Sequence, residues 1–194
     1  MERTLLIFKP DVVQRQITGE LISRFEKKGF KIVGMKMVLP TVKQVGEHYI
    51  DEEKYLIGVG DKAKKGAIAR GEDVTDWNSL KVGEQIRKWN VDYLTCGPVL
   101  AIVMEGFNII TGVRKMLGTT SPADADVGTI RMDYSLDCYA LADEQARSTR
   151  SMIHASDSVE SAEREIPLWF KKEELVDYKT AIEMIFYDAG WSNN

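Results

Sequence analysis

The chain has few cysteines, few histidines and no long hydrophobic run. Its 194 residues include two cysteines and two histidines. Cys96 and Cys138 are too few for a disulfide framework, and their separation fits no common zinc-binding pattern. The longest apolar run, Val99 to Met104, is far too short to cross a membrane. These absences argue against a disulfide-stapled domain, a zinc site and an integral membrane protein.

The chain also lacks an excess of positive charge, and its first residues lead us to expect no secretion leader. Its formal net charge is −4, which argues against general affinity for nucleic acid. Met1-Glu2-Arg3 leads straight into the apolar Leu5 to Phe8, which is too brief for the core of a signal peptide. We therefore expect a cytoplasmic protein with no membrane partner, and the charge disfavours a nucleic-acid partner without excluding a local basic pocket.

The length and the hydrophobic pattern are those of one domain, residues 1–194. Short apolar runs predict four strands, at residues 4–8, 30–39, 99–104 and 128–136. Apolar residues at helical spacing predict helices at residues 18–28, 42–55, 80–94 and 108–117.

Two stretches between these elements are polar. Gly58 to Trp77 is rich in glycine, lysine and aspartate and reads as an exposed loop or insertion, and Asp143 to Thr149 reads as a surface excursion. The alternation of strands and helices predicts an α+β sandwich, with helices over one antiparallel sheet.

The region around His154 offers the strongest indication of chemistry. Asp157 with Glu160 predicts the start of a helix directly after the histidine. A helix N-terminus favours anions, because its first N–H groups are unpaired. An imidazole at such a place is a candidate nucleophile toward a phosphoryl group, and Glu165 on the same helix is a candidate for orienting it.

Three cationic side chains stand in places that suit phosphate binding. Lys9 ends the first predicted strand, Arg114 precedes the turn Gly118-Thr119-Thr120-Ser121-Pro122, and Arg131 lies within the last predicted strand. Each alone is the kind of residue that is common on protein surfaces, so the argument depends on their joint appearance with His154. His48, the second histidine, reads as a half-buried packing residue or a surface residue.

Five motifs then give the chain a specific resemblance. They are Lys9-Pro10-Asp11, Glu105-Gly106, Met116 to Asp124, Gly128 to Arg131 and His154 to Glu163, followed by Leu168-Trp169-Phe170 and Glu173 to Val176. In this order the motifs resemble those of nucleoside diphosphate kinases. The resemblance covers nearly the whole chain except two segments.

The resemblance implies a fold and an activity. The fold is the ferredoxin-like α/β sandwich, a four-stranded antiparallel sheet covered by helices. The activity moves the terminal phosphate of a nucleoside triphosphate, typically ATP, to a nucleoside diphosphate through a phosphohistidine, which balances nucleotide pools. It also implies ping-pong kinetics, dependence on Mg²⁺, and assembly into a homo-oligomer, either a tetramer or a hexamer.

The resemblance also implies roles for eight residues. His154 would be the phosphorylated nucleophile and Glu165 would hold its ring. The nucleotide would be bound by Lys9, Tyr49, Arg114, Thr120, Arg131 and Ser151. The protein would supply no metal ligand of its own, since the nucleotide phosphates would hold Mg²⁺.

Three departures from the family pattern leave alternatives open. Ser151 stands where the family usually has asparagine, Ala155 stands where glycine is common, and insertions fall at roughly 56–90 and 137–149. The first insertion lies where the family places its base-stacking aromatic residue, a role for which Tyr55 is favoured. Two other functions stay open: a nucleotide-binding homologue without catalysis and, more weakly, a nucleic-acid-binding protein.

Overall fold

The computed structural model describes residues 1–193 and contains one four-stranded antiparallel sheet. The strands are β1 Glu2–Phe8, β2 Lys31–Val38, β3 Val99–Gly106 and β4 Ile153–Ala155. Their order across the sheet is β2-β3-β1-β4, so β2 and β4 are the edges. The predicted four-stranded antiparallel sheet is therefore confirmed.

The helices cover both faces of this sheet. Their bounds are α1 Pro10–Gln14, α2 Thr18–Lys27, α3 Val42–His48, α4 Glu53–Ala69, α5 Ser79–Thr95, α6 Ile109–Leu117, α7 Ile130–Tyr134, α8 Tyr139–Glu144, α9 Val159–Trp169 and α10 Ala181–Tyr187. Short 3₁₀ turns occupy 122–124, 172–174 and 191–193. Among these described residues, no helix combines the length and the apolar character that a membrane crossing requires.

The central strand β1 connects two hydrophobic cores. Leu6 and Phe8 pack on one face with residues of α2 and α6, whereas Leu5 and Ile7 pack on the other with residues of α3 and α5. This alternation follows from the two-residue period of a strand, and all four side chains are fully buried. Whatever follows β1 is therefore held in a fixed position, and the next residue is Lys9.

The polar stretch from Gly58 to Trp77 is not a loop over its whole length, which corrects the prediction. Its first part belongs to α4, and the helix predicted over 42–55 is instead divided between α3 and α4. Glycine in this region serves close packing: a Cβ on Gly60 would lie 1.9 Å from the carbonyl oxygen of Ser79. A Cβ on Gly83 would likewise lie 2.0 Å from that of Leu56, so the glycines let α4 and α5 touch backbone to backbone.

The last predicted strand is also wrong. Residues 130–134 form the short helix α7, and the fourth strand is β4, which carries His154 between β1 and solvent. The predicted cap of the following helix shifts by one residue. Ser158, rather than Asp157, is the N-cap of α9, and its hydroxyl accepts a hydrogen bond from the backbone N–H of Ser161.

Candidate active site

His154 and Glu165 form the centre of the site. His154 pairs with Ile7 in the sheet, and its side chain is partly exposed. Its Nε2 lies 2.8 Å from Oε2 of Glu165, a buried carboxylate on α9. Because a carboxylate accepts hydrogen bonds, this contact places a proton on Nε2. Nδ1 of His154 has no hydrogen-bond partner among residues 1–193.

Two neighbours fix the Glu165 carboxylate. Ser156 donates its hydroxyl hydrogen to Oε2 at 2.8 Å, and Arg164 donates from Nη2 to Oε1 at 3.1 Å. Ser156 is itself buried, and its Oγ accepts the N–H of Leu5 in β1. The carboxylate that holds the imidazole is thus tied to the central strand, so the position of His154 depends on the sheet.

His48 is not a surface residue but part of this site, which corrects the sequence interpretation. It ends α3, is 2% exposed, and its ring centroid lies 4.4 Å from that of His154 at an interplanar angle of 82°. The indole N–H of Trp169 donates to its Nδ1 at 3.3 Å. Burial lowers the pKa of His48 well below its usual value, with a further contribution from the nearby His154.

The spacing of His48, His154 and Glu165 would suit a metal ion. One ligand atom of each lies within 4.8 Å of the others. The hydrogen bonds favour a different interpretation, because Trp169 donates to Nδ1 of His48 and so leaves the proton of the neutral ring on Nε2. A protonated Nε2 cannot coordinate a metal. The group is therefore a hydrogen-bonded pair, His154 with Glu165, and a packed neighbour, His48, rather than a metal centre.

Lys9 and Ser151 form a second buried contact beside the histidine. Lys9 is 6% exposed, and its amine donates to Oγ of Ser151 at 2.9 Å. It also lies 4.8 Å from the centroid of the Tyr93 ring, whose hydroxyl donates to Asp11. Burial lowers the pKa of Lys9 to about 7, and the positive charge of Arg131 adds to the shift.

The backbone directly before His154, residues 151–153, forms an unusual turn beside Lys9. Met152 has φ +65°, and the N–H of Ile153 donates to the carbonyl oxygen of Ser151 at 2.7 Å. A buried residue other than glycine adopts this conformation only where its surroundings enforce it. The backbone N–H of Lys9 donates to the carbonyl oxygen of Met152 at 2.9 Å, which ties the turn to the end of β1.

Arg131 enforces the same turn from α7. Its guanidinium donates to the carbonyl oxygens of Ser151 at 3.0 Å, Gly118 at 2.7 Å and Ile153 at 2.8 Å. These bonds use three of its five N–H groups. Burial lowers the pKa of Arg131 to about 10, and the charge of Arg114 adds to the shift. Arg131 therefore joins the loop after α6 to β4, a structural task that the sequence did not indicate.

Arg114 and Thr120 lie at the rim of the site. Arg114 lines an open cleft of about 640 Å³ together with Thr119, Asp126 and Asp157. Thr120 is exposed beside Tyr139: burial raises the pKa of that phenol, and a hydrogen bond with Thr120 opposes the shift. Within the described chain, no hydrogen bond connects either residue to His154.

Two tyrosines lie near the site, and one of them, Tyr49, packs against the ring of His48. The centroids of the Tyr49 and His48 rings are 5.0 Å apart, and burial raises the pKa of Tyr49. Tyr55, on α4, is about half exposed. Burial also raises the pKa of Tyr55, followed by the charge of Asp157. Tyr55 therefore stands at the open side of the site, on the helical hairpin of α4 and α5.

The structure thus brings six of the eight predicted residues into one connected cluster. They are His154, Glu165, Ser151, Lys9, Arg131 and Tyr49. Sequence reasoning missed the supports, namely Ser156, Arg164, Tyr93 and the contact of Trp169 with His48. Ser156 and Trp169 lie in motifs already quoted, but their partners are distant in sequence and no local pattern connects them.

A family model described as nucleoside diphosphate kinase matches residues 2–56 and 62–175 of this chain. The chain belongs to the nucleoside diphosphate kinase family. The family expected from the motifs is therefore confirmed, and with it the ferredoxin-like fold.

Relatives in this family align along nearly the whole chain. A nucleoside diphosphate kinase of Pyrobaculum aerophilum is 43% identical over 182 residues, covering 91% of this chain and 99% of the relative. Nucleoside diphosphate kinase B of Homo sapiens is 39% identical over 190 residues, covering 97% and 98% of the two chains.

Solved structures of the family share the fold. The crystal structure of an NDP kinase from Pyrobaculum aerophilum has a TM-score of 0.86 and 42% identity, and covers 91% of this chain and 99% of that one. A nucleoside-diphosphate kinase from Borrelia burgdorferi, a transition state mimic with bound vanadate and ADP, has a TM-score of 0.78 and 33% identity. It covers 96% of each chain.

Proposed function

We propose that this chain transfers the terminal phosphate of a nucleoside triphosphate, typically ATP, to a nucleoside diphosphate by way of a phosphohistidine at His154. Membership in the nucleoside diphosphate kinase family supports the overall reaction. The observation that carries the proposal is the arrangement of His154: a partly exposed imidazole whose Nε2 is held by a buried carboxylate and whose Nδ1 has no described partner.

The chemistry follows from this arrangement. The lone pair of Nδ1 attacks the terminal phosphorus, an N–P bond forms, and the bond from phosphorus to the bridging oxygen breaks. The electron pair leaves with the nucleoside diphosphate. The ring gains positive character, which Glu165 stabilises through Nε2–H. A second diphosphate then attacks the phosphohistidine, which returns His154 to its neutral form and gives ping-pong kinetics.

Cations around the cleft would compensate the phosphate charge. Arg114 lines the cleft, and Arg131 keeps two N–H groups beyond the three that bind carbonyl oxygens. We assign the nucleotide to these two residues together with Lys9, Tyr49, Thr120 and Ser151, and Tyr55 is the favoured base-stacking residue. The Borrelia burgdorferi relative binds ADP and vanadate on a similar fold, which supports a nucleotide at the corresponding cleft.

The cleft also suits Mg²⁺. This hard cation prefers oxygen ligands and near-octahedral geometry, usually with substrate phosphates among its ligands. Asp126 and Asp157 place carboxylates in the cleft beside Arg114, so oxygen atoms of the required kind are present. We propose that the nucleotide phosphates hold the ion mainly by themselves. When bound, Mg²⁺ would neutralise charge on the phosphate oxygens.

Assembly into a homo-oligomer has support from the edge strand β2. Met35 and Met37 on this strand and Leu39 after it are more than half exposed. An exposed apolar edge strand invites pairing with another chain. Whether the oligomer is a tetramer or a hexamer stays open. Light scattering on the intact protein measures its mass, and Met37→Lys is expected to weaken the assembly.

The domain organisation and the cellular location of the chain are also proposals. We propose that residues 1–194 act as one domain with insertions near 56–90 and 137–149. Asn194, at the end of that range, lies outside the described residues. A cytoplasmic location agrees with two free cysteines, Cys96 and Cys138, because disulfides are rare in reducing compartments.

A coupled exchange assay tests the function. The enzyme is mixed with ATP, Mg²⁺ and a second nucleoside diphosphate, and formation of the new triphosphate is followed beside His154→Ala. We expect turnover by the natural protein and none by the variant, with unchanged circular dichroism. Nucleotide binding without exchange by the natural protein would favour the noncatalytic homologue instead. Equal turnover by the variant would refute His154 as the nucleophile.

A further inference from the structure

His48 has no part in the reaction as proposed so far, yet it is the nearest aromatic neighbour described for the nucleophile. Its ring lies 4.4 Å from the His154 ring and nearly perpendicular to it. The rings of Tyr49 and Trp169 pack on His48 at centroid distances of 5.0 and 5.8 Å, also nearly edge to face. The four side chains His48, Tyr49, His154 and Trp169 thus form one cluster of edge-to-face rings.

Trp169 fixes the chemical state of His48. An indole N–H can donate but cannot accept, so Nδ1 of His48 must be the acceptor and carry no proton. The neutral ring then bears its proton on Nε2. Arg164 and Lys9 lie close enough to disfavour a positive charge on His48, as does His154. His48 is therefore a neutral ring in a single tautomer.

One guanidinium connects both supports of the nucleophile. Arg164 donates from Nη1 to the carbonyl oxygen of His48 at 3.2 Å and from Nη2 to Oε1 of Glu165 at 3.1 Å. The end of α3 and the carboxylate on α9 are thereby held at a fixed separation. The imidazole of His154 lies against both.

The two supports restrict different motions of the His154 ring. A single hydrogen bond from Nε2 to Glu165 fixes one atom but still allows the ring to tilt about that contact. A ring packed perpendicular at 4.4 Å removes the tilt, because buried side chains at such contact leave little free space. A small change in tilt moves Nδ1 off the line of attack, and a misplacement of about 1 Å can cost about 100-fold in rate.

We propose that His48 is a positioning residue for the nucleophile: held by Trp169, its ring fixes the tilt of the His154 imidazole so that Nδ1 meets the phosphoryl group. This inference rests on the proposed function. It assigns to Trp169 the task of fixing His48, at one remove from the reacting atoms.

Kinetics of phosphoenzyme formation provide the first test. Trp169→Phe keeps an aromatic ring without the donor, His48→Phe keeps a ring without nitrogen, and His48→Ala removes the ring. At saturating ATP we expect the phosphorylation rate to fall about 100-fold for His48→Ala and about 10-fold for the other two, with KM within about twofold. Trp77→Phe, in the loop between α4 and α5, is the matched control and is expected to keep the natural rate.

A measurement without nucleotide separates this inference from the proposed function. The chain has two histidines, so a ¹⁵N spectrum of the labelled rings contains two sets of signals. The Nε2 proton of His154 is expected to exchange with water about tenfold faster in Trp169→Phe than in the natural protein or in Trp77→Phe. Natural exchange in Trp169→Phe, or natural phosphorylation rates in His48→Ala, would overturn the positioning role. Failure of the natural protein to form any phosphoenzyme would refute the proposed function, while the proton exchange still decides the role of His48.

Discussion

Lys9 and Ser151, 142 positions apart in the chain, meet in a buried hydrogen bond of 2.9 Å. The contact joins the end of the central strand to the turn that precedes His154. It also places an amine with a pKa lowered to about 7 at the point where the nucleotide is proposed to bind.

Nucleotide affinity is expected to depend on pH through Lys9. The amine is charged below pH 7 and neutral above it, and a bound phosphate favours the charged form. Binding above pH 7 must therefore take up a proton, so the Kd for ADP rises as pH increases from 7 to 9. Calorimetry in buffers of different ionisation enthalpy measures this uptake. Lys9→Gln should abolish it, whereas a control variant, Lys115→Gln, should not, because Lys115 is an exposed lysine that lines the cleft beside Arg114. An affinity independent of pH in this window would contradict the prediction.

The burial of Lys9 should also cost stability. Its pKa is lower in the folded chain than in the unfolded chain, so the unfolded state binds more protons between pH 7 and 10.5 and stability rises with pH there. Lys9→Met should raise the free energy of unfolding by about 1–2 kcal/mol at pH 7, with a smaller gain at pH 9, and should lose activity. Urea unfolding measures this. A destabilised Lys9→Met would show that the amine stabilises the fold.

Glu165→Gln tests the carboxylate that holds the nucleophile. A charge-assisted hydrogen bond is worth about 1.5–3 kcal/mol, which corresponds to a loss of about 10–150-fold in the phosphorylation rate. The amide would also present a donor on one side, which disturbs the tautomer of His154. Glu163→Gln changes an exposed carboxylate on the same helix and should leave the rate unchanged. Equal rates for the two variants would mean that Glu165 does not support His154.

Arg131→Lys tests whether this side chain is structural as well as phosphate-binding. A lysine amine cannot reach all three carbonyl oxygens, so at least one buried acceptor loses its partner. We expect a loss of about 1–3 kcal/mol in the free energy of unfolding. Arg15→Lys, at an exposed position of the C-cap of α1, is the control and should change stability little. A stable Arg131→Lys would indicate that the turn at Met152 holds without the arginine.

Residue types and their order predicted the family and the chemistry better than they predicted the elements. The roles of His154 and Glu165 were predicted from the resemblance and stay predictions, and three of the four strands, β1, β2 and β3, followed from the apolar runs. The strand β4 was missed because three residues, Ile153–Ala155, are too short for periodicity to show. Its place is set by pairing with β1 and by the turn at Met152, which are long-range contacts.

The error at α4 has a different cause. Gly58, Gly60 and Gly66 lower the helix propensity of this segment, which favoured a loop. In the structure Gly60 lies against the backbone of Ser79, a contact between helices that propensity does not include. The role of His48 was missed for a similar reason, since its partner Trp169 lies 121 positions away.

The most direct test of the account is to locate the phosphate on the intact protein. The chain is incubated with ATP and Mg²⁺, and mass spectrometry under neutral or basic conditions maps the modified residue. We predict one phosphate on His154, stable to base, lost in acid and absent from His154→Ala. A phosphate on another residue, or none on the intact natural protein, would contradict the account.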